Sequence, residues 1–305
     1  MDISMLKTAR NKDFSSITSE LEKVGNPDQK SYVDERFWKP ERDKAGNATA
    51  TIRFLPRTIK EINGDVVKDE LPWVKLFSHG FQGPSGKWFI EDCPTTLNQE
   101  CSVCSYNQRL WNSTDSDSSP ERKQVRNQKR KLSYIANILV VDDPKHPENN
   151  GEVRLFKFGK KIFEKIQDKA RPAFDDEEPV NVFDYWDGAN FKLRMKQVDG
   201  YPNYDNSVFA NPAPIGSDED ILRVAKNQHL LQDFLDPKNF KSAEELKKKL
   251  EYVLAMGDPI PSAHEIAEAR AAAPVAPPPA IRSKPSAMED DEDMMQYFAA
   301  LANDD

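Results

Sequence analysis

His79, Cys93, Cys101 and Cys104 fall within 26 residues and use every cysteine of a 305-residue chain. Three thiols are too few and too odd in number for a disulfide framework, and clustered thiols in a reducing compartment more often hold metal. Cys101 and Cys104 form a CxxC, a tight turn from which two thiolates can bite one ion, and Cys93 with His79 from a preceding hairpin would complete a tetrahedron. Such a set leaves no open position. The expected ion is one structural Zn2+ that ties the Gly- and Pro-rich segment from Gly80 to Gly86 to the rest of its domain. A redox CxxC would want a thioredoxin-like parallel sheet, which the flanking segments do not offer. A zinc deaminase needs a glutamate two residues after the histidine, and here His79 is followed by Gly80 and Phe81. His146, His229 and His264 have no clustered partners and read as ordinary surface residues.

The elements that must position this quartet are short strands. Candidates are residues 48–55, 73–78, 87–91, 132–141, 153–158 and 191–198, separated by Gly, Pro, Asn or Asp. Helical patterns follow Cys101, cover residues 160–170 and lie between Asp218 and Leu235. In the last helix Ser242 and Glu245 form a capping box, Leu246, Leu250, Val253 and Leu254 make an apolar stripe, and Gly257 supplies the stop. The body, residues 31–257, is therefore read as mainly β with α elements, with a zinc subdomain at about 70–130. Residues 1–30 read as a polar, flexible arm. Residues 258–305 read as a Pro/Ala linker followed by an acidic tail. Both ends are expected to be disordered, because 31% of residues are charged and only 38% hydrophobic. No apolar run approaches the roughly 20 residues that span a bilayer, and the N-terminus lacks the apolar stretch of a signal peptide, which predicts a cytosolic protein with no membrane partner.

The net charge of −8 argues against a polyanionic partner until its distribution is considered. Residues 258–305 hold ten acidic and three basic side chains, whereas residues 121–165 hold twelve basic against six acidic. Non-specific single-strand binding needs cations along phosphates and aromatic faces on which bases stack. Lys129, Arg130 and Lys131 lead into a strand carrying Tyr134, and Phe156 lies near Lys157, Lys160 and Lys161. Tyr201 and Tyr204 follow Lys192, Arg194 and Lys196, which alternate along one strand face. Tyr106 and Trp111 come from the helix after the CxxC, so the zinc subdomain would form one wall of a groove. Each aromatic has a structural alternative: Phe156 sits in an apolar pattern that favours the core, and the basic run from Arg122 to Lys131 could be a solvated loop. The acidic tail would act as a brake by competing for the basic cleft. Two rival readings are a zinc-stabilised single-stranded RNA-binding module, since nothing here reads a 2′-hydroxyl, and a zinc-dependent nucleic-acid-modifying enzyme, which would need an open metal site or clustered carboxylates.

Several segments together resemble the single-stranded DNA-binding proteins of T-even bacteriophages. They are Ala45-Gly46-Asn47 with residues 52–56, His79-Gly80-Phe81 with Gly86-Lys87-Trp88, the CxxC, and residues 129–141, 158–162 and 196–205, a likeness that runs in order over about residues 37–210. It implies an OB-fold, a five-stranded Greek-key barrel, with an inserted zinc subdomain and a cleft for single strands. It also implies a non-enzymatic, cooperative, sequence-independent binder that acts in phage DNA replication, recombination and repair, in the cytoplasm of the infected bacterial host. Carried over by position, the zinc ligands are His79, Cys93, Cys101 and Cys104. The cleft contacts are Tyr106, Lys129, Arg130, Lys131, Tyr134, Phe156, Tyr201 and Tyr204, with Arg53 as a further candidate and Trp111 near a family tyrosine. Ile135 stands where the family pattern has a tryptophan, and an aromatic expected before the CxxC is absent around Asn98 and Gln99. The resemblance further implies self-association along DNA through an arm containing Lys7, Thr8 and Arg10. It makes Glu289, Asp290, Asp291, Glu292 and Asp293, with Phe298 and Leu301, a tail that recruits replication and recombination proteins.

Overall fold

The structure, a computed structural model, describes residues 34–198 and 200–256. The expected arm and acidic tail lie outside the described residues, and with them Lys7, Thr8, Arg10, Glu289, Asp290, Asp291, Glu292, Asp293, Phe298 and Leu301. The architecture that follows is that of the unit that starts at Trp38.

Strands β1 (Ala48–Phe54), β2 (Ile59–Ile62), β3 (Asp65–Lys68), β4 (Trp73–Gln82), β5 (Trp88–Asp92), β6 (Lys131–Asp142), β7 (Val153–Phe158), β8 (Ala189–Val198), β9 (Tyr201–Asn203) and β10 (Val208–Pro212) alternate, among the described residues, with five α-helices. The helices are α1 (Ser102–Asn112), α2 (Pro120–Gln128), α3 (Lys160–Ala170), α4 (Asp218–Asn227) and α5 (Ala243–Leu254). The body is mainly β with peripheral helices, as the sequence predicts. In β6 seven consecutive residues, Tyr134 to Val140, are buried, so both faces of this strand are covered. One edge of β6 pairs with β7, from Tyr134 opposite Phe158 to Leu139 opposite Val153. The other edge pairs first with β4, from Ser78 opposite Lys131 to Trp73 opposite Ala136, and then with β1, where Phe54 faces Ile138. β1 in turn carries β8, which pairs with β9 and β10. Past Ser78, β4 leaves β6 and forms a hairpin with β5.

The main core lies against one face of this sheet. Phe54 sits at its centre, with the rings of Phe156, Phe158, Phe183, Phe191 and Phe209 at 5.4–6.4 Å. Ile162 and Ile166 of α3 close it. A second core joins the β4–β5 hairpin to α1 and α5 through Phe81, Phe89, Val103, Leu246, Leu250 and Val253.

Several elements differ from expectation. The basic run after Ser119 is a helix: the Ser119 side chain accepts from the Arg122 backbone, Pro120 opens the first turn, and Val125 is its buried apolar residue. The ribbon β2–β3 and the short strands β9 and β10 escape a reading based on alternation. The capping box of α5 forms between Ser242 and Glu245 as expected, but the helix ends at Ala255, with φ 53°, rather than at Gly257. A left-handed alanine costs roughly 1–2 kcal/mol, which the packing of α5 must outweigh.

α5 is held down at one close approach. Ser85 Oγ donates to the Val253 carbonyl at 2.7 Å, and a Cβ on Gly83 would lie 2.1 Å from the same oxygen. Gly83→Ala must therefore lift α5 from the hairpin. The expected loss is about 1–3 kcal/mol, seen as a lower midpoint in urea unfolding, whereas Gly64→Ala, in an open turn, should not disturb α5.

Candidate metal centre and nucleic-acid interface

Successive turns of the second core bring the quartet together. His79 lies on β4 beyond its divergence from β6 and faces inward with Phe81. Cys93 follows β5 and begins the 3-10 turn Pro94–Leu97, Cys101 is the N-cap of α1, and Cys104 lies in its first turn, where the helix dipole favours a thiolate. The four ligand atoms lie within 4.8 Å of one another. Cys93 Sγ is 3.6 Å from Cys104 Sγ, and His79 Nε2 is 3.6 Å from both Cys101 Sγ and Cys104 Sγ. Tetrahedral ligands at bond lengths of about 2.0–2.3 Å stand about 3.6–3.8 Å apart, so the donor set fits one metal ion. His79 Nδ1 lies 2.9 Å from the Gln128 carbonyl, which also accepts from Asn107 Nδ2 at 3.2 Å. That contact assigns the proton to Nδ1 and leaves Nε2 as the ligand, while satisfying a carbonyl at the end of α2.

Packed this closely, the four groups compete for protons. Burial disfavours charge on His79, but hydrogen bonds and negative charge from Cys101 and Cys93 outweigh it and raise the imidazole to about 9. Hydrogen bonds from Cys101 and Cys104 hold the Cys93 thiol far below its usual range, while Cys101 and Cys93 push the Cys104 thiol far above it. A divalent cation held by the four residues would relieve this by replacing the protons on His79 and Cys104.

The turn after Cys93 links the metal centre to a surface strip. Cys93 N donates to the Phe77 carbonyl at 2.8 Å, Phe77 N donates to Thr96 Oγ1 at 2.9 Å, and Arg130 donates to the Thr95 hydroxyl. The Arg130 guanidinium lies 4.1 Å from the Phe77 ring centroid and Lys75 Nζ lies 4.9 Å from it. Across the β4–β6 register Lys75 faces Tyr134. Tyr134 stacks on Phe163 of α3 at 3.9 Å, and Phe163 meets Trp73 at 5.3 Å. The first turn of α3 adds Lys160 and Lys161, which approach Glu164 at 4.0 and 3.9 Å. Lys75 and Phe77 are not singled out by the sequence reading. Their signal is the alternation in residues 73–78, which places Trp73, Lys75 and Phe77 on one face.

The remaining candidates lie in different surroundings. Tyr106 is half-buried against the second core, its hydroxyl receiving Gln124 Nε2 at 3.3 Å. Trp111 lies under Arg122 and Arg126, at 4.5 and 5.6 Å, and Asp117 pairs with both guanidinium groups. Lys129 and Lys131 flank Arg130 and are half-buried. Tyr201 and Tyr204 are half-buried around β9, with Tyr204 packed on the main core. Tyr134 is deeper than expected, 8% exposed. Two candidates are corrected to structural residues. Arg53 is 1% exposed, and its guanidinium donates to the carbonyls of Asp184 at 2.8 Å and Ala213 at 2.9 Å, so it holds two loops rather than facing solvent. Phe156 is 5% exposed and packs between Trp38 and Phe54, because its side of β7 faces the core.

A Cys/His quartet that could hold one metal ion, beside a basic and aromatic strip on a mainly β body, is the arrangement of a binding module. Residues 46–254 match the family model described as gp32 DNA binding protein like, and the chain belongs to that family. It is similar to the single-stranded DNA-binding protein of Enterobacteria phage T2, 39% identical over 262 residues that cover 81% of each chain. It is likewise similar to the single-stranded DNA-binding protein of Enterobacteria phage T4, 38% identical over 255 residues, 80% of this chain and 79% of the relative. A shorter relative of the same description, from Enterobacteria phage RB70, is 33% identical over 130 residues, 41% of this chain and 97% of the relative. Among the described residues no helix is long and apolar enough to cross a membrane.

The quartet predicts one metal equivalent per chain by elemental analysis. Cys104→Ser should lose most of that metal and lower the thermal midpoint by several degrees. Ser105→Ala, whose side chain points away from the quartet toward Glu100, should retain both.

Proposed function

We propose that this protein coats single-stranded DNA without regard to sequence and without catalysing a reaction, during phage DNA replication, recombination and repair in the cytoplasm of the infected bacterium. The observation that carries this reading is the strip from Thr95 and Arg130 through Phe77 and Lys75 to Tyr134, anchored on the metal turn in a chain of this family. Cations along it follow phosphates, and half-buried rings nearby offer faces to bases. Tyr106, Trp111, Lys129, Arg130, Lys131, Tyr201 and Tyr204 belong to the proposed contacts, with Phe77 and Lys75 added. Lys160 and Lys161 belong with them, since two cations in the first turn of a helix oppose its dipole and favour an anion there.

The quartet's ion is read as Zn2+, the usual partner of three thiolates and one imidazole in a closed tetrahedral site. Bound there, it supplies no reaction chemistry and holds the turn that carries Thr95. The sheet is read as an OB-type Greek-key barrel within a body of residues 31–257, with the zinc subdomain inserted at about 70–130. Residues 1–30, through Lys7, Thr8 and Arg10, would link neighbouring protomers. The tail beyond residue 258 would recruit replication and recombination proteins and compete with DNA for the cations.

The test is a titration of single-stranded oligomers of increasing length, followed by tryptophan fluorescence. Binding should steepen beyond a threshold length, and log affinity should fall linearly with log salt. Lys75→Ala and Arg130→Ala should each reduce the magnitude of that slope by about 0.7, and removal of residues 275–305 should tighten binding at low salt. Failure to bind single strands, stronger binding to RNA of equal length, or cleavage of the strand would each reject the reading.

A further inference from the structure

β8 alternates between two environments. Phe191, Leu193 and Met195 enter the main core, and Lys192, Arg194 and Lys196 are exposed on the opposite face. On one side β1 sets Thr51 opposite Lys192 and Thr49 opposite Arg194. On the other side Val208 of β10 faces Lys192, and Asn203 of β9 faces Lys196. A groove of about 310 Å³ follows this face, lined among others by Thr49, Thr51, Lys192, Arg194, Asn206 and Asp142. Many other surface cations are paired, among them Lys241 with Glu91, Lys238 with Asp236 and Arg223 with Asp220. Lys192, Arg194 and Lys196 form no ion pair among the described residues.

We propose that this face is a second phosphate track, separate from the strip at the metal turn, and that its ligand is the phosphodiester backbone of single-stranded nucleic acid. Alternate residues on a strand stand about 6.6–6.8 Å apart, close to the phosphate step of an extended single strand, so each cation meets one phosphate. The Thr49 and Thr51 hydroxyls supply further donors beside Arg194 and Lys192. The track starts where the aromatic candidates end: Tyr201 pairs with Val198 across the β8–β9 turn, and Lys196 pairs with Asn203, next to Tyr204. A strand stacked on Tyr201 would meet Lys196 first, then Arg194 and Lys192. The proposal rests on the reading of the protein as a single-strand binder and extends it to a longer path.

The test uses the full chain with Lys192→Gln, Arg194→Gln and Lys196→Gln combined, beside a charge-preserving variant with Lys192→Arg, Arg194→Lys and Lys196→Arg. Affinity for oligothymidylates of increasing length is measured against salt by fluorescence anisotropy. For oligomers long enough to reach the face, the glutamine variant should reduce the magnitude of the salt slope by about 2, roughly 0.7 for each lost phosphate contact. Short oligomers should bind it as they bind the wild type, and the charge-preserving variant should keep the wild-type slope at every length. An unchanged slope on long oligomers, or an equal loss at every length, overturns a separate track. Tighter binding by the glutamine variant also overturns it, by showing that the face holds the acidic segment at residues 289–293 instead. Arg194→Gln alone, expected to remove about 0.7 of slope on long oligomers, serves if the triple variant does not fold. A wild-type protein that ignores single strands would instead refute the underlying reading.

Discussion

Every backbone N–H and C=O along a buried strand must find a partner, and β6 meets this requirement with a divided edge. β4 occupies that edge as far as Ala136, and β1 takes over at Ile138. Asn137, 1% exposed, stands at the division. Its carbonyl receives Leu55 N at 3.0 Å, its side-chain amide donates to Thr58 Oγ1 at 3.1 Å and the His229 carbonyl at 2.8 Å, and its Oδ1 receives His229 N at 2.9 Å. An apolar residue there would take from His229 N its Oδ1 acceptor, a loss of roughly 1–3 kcal/mol, while Thr58 Oγ1 would still donate to the His229 carbonyl. Because the edge is shared, β4 can keep Lys75 and Phe77 in register with Tyr134 and Leu132 and then diverge to carry His79 into the metal centre. Core and candidate interface are thus two ends of one pairing problem.

The diverging hairpin has little core of its own and acquires one from two sources. The metal quartet joins β4, the Cys93 turn and α1 at a point. α5 covers the other side, with Leu246, Leu250 and Val253 buried against Phe81 and Phe89. Polar contacts fix its position: Ser102 Oγ donates to the Ala243 carbonyl at 2.6 Å, and Glu91 receives both Lys241 and Lys249. These contacts fasten α5, the last described helix of the body, to the hairpin that carries His79, 150 to 168 residues away in sequence. Loss of the ion would unsettle α5 as well as the turn that presents Thr95, because the two share the side chains packed around Cys93 and Cys104.

What was legible in the sequence follows from the range of the interactions involved. The quartet could be read because its chemistry demands particular residue types at short spacing, and the capping box of α5 because it is complete within four residues. Phe156 lies in the core that its apolar pattern favoured, whereas Arg53 was misread. Alternation divides a strand into two faces but does not say what covers each one. Arg53 lies opposite the phenylalanine core, yet loops at Asp184 and Ala213 close over it, more than 130 residues along the chain. Phe77 went unnoticed because its significance depends on Arg130, which reaches it only once β4 and β6 are paired. α2 was hidden by composition: its charged sequence offers one buried aliphatic residue, Val125, and the Ser119-Pro120 start is a local signal that only becomes decisive when that residue has a core to enter.

The same distance between sequence and surface applies to charge. The basic excess of residues 121–165 overstates what a polyanion would meet, because Arg122 and Arg126 are committed to Trp111 and Asp117, and Arg154 to Glu152. Those that remain differ in how firmly they are held. Lys160 and Lys161 share Glu164 at 4.0 and 3.9 Å, an exposed arrangement of a kind that contributes at most about 1 kcal/mol and is screened by salt. Exchanging such a carboxylate for a phosphate costs little, and releasing the counterions condensed on a nucleic-acid strand is favourable. An acidic protein can therefore bind a polyanion without a strongly positive body. It needs only a few cations whose present partners are weak and whose spacing is set by rigid strands, and β4, β6 and β8 supply that spacing.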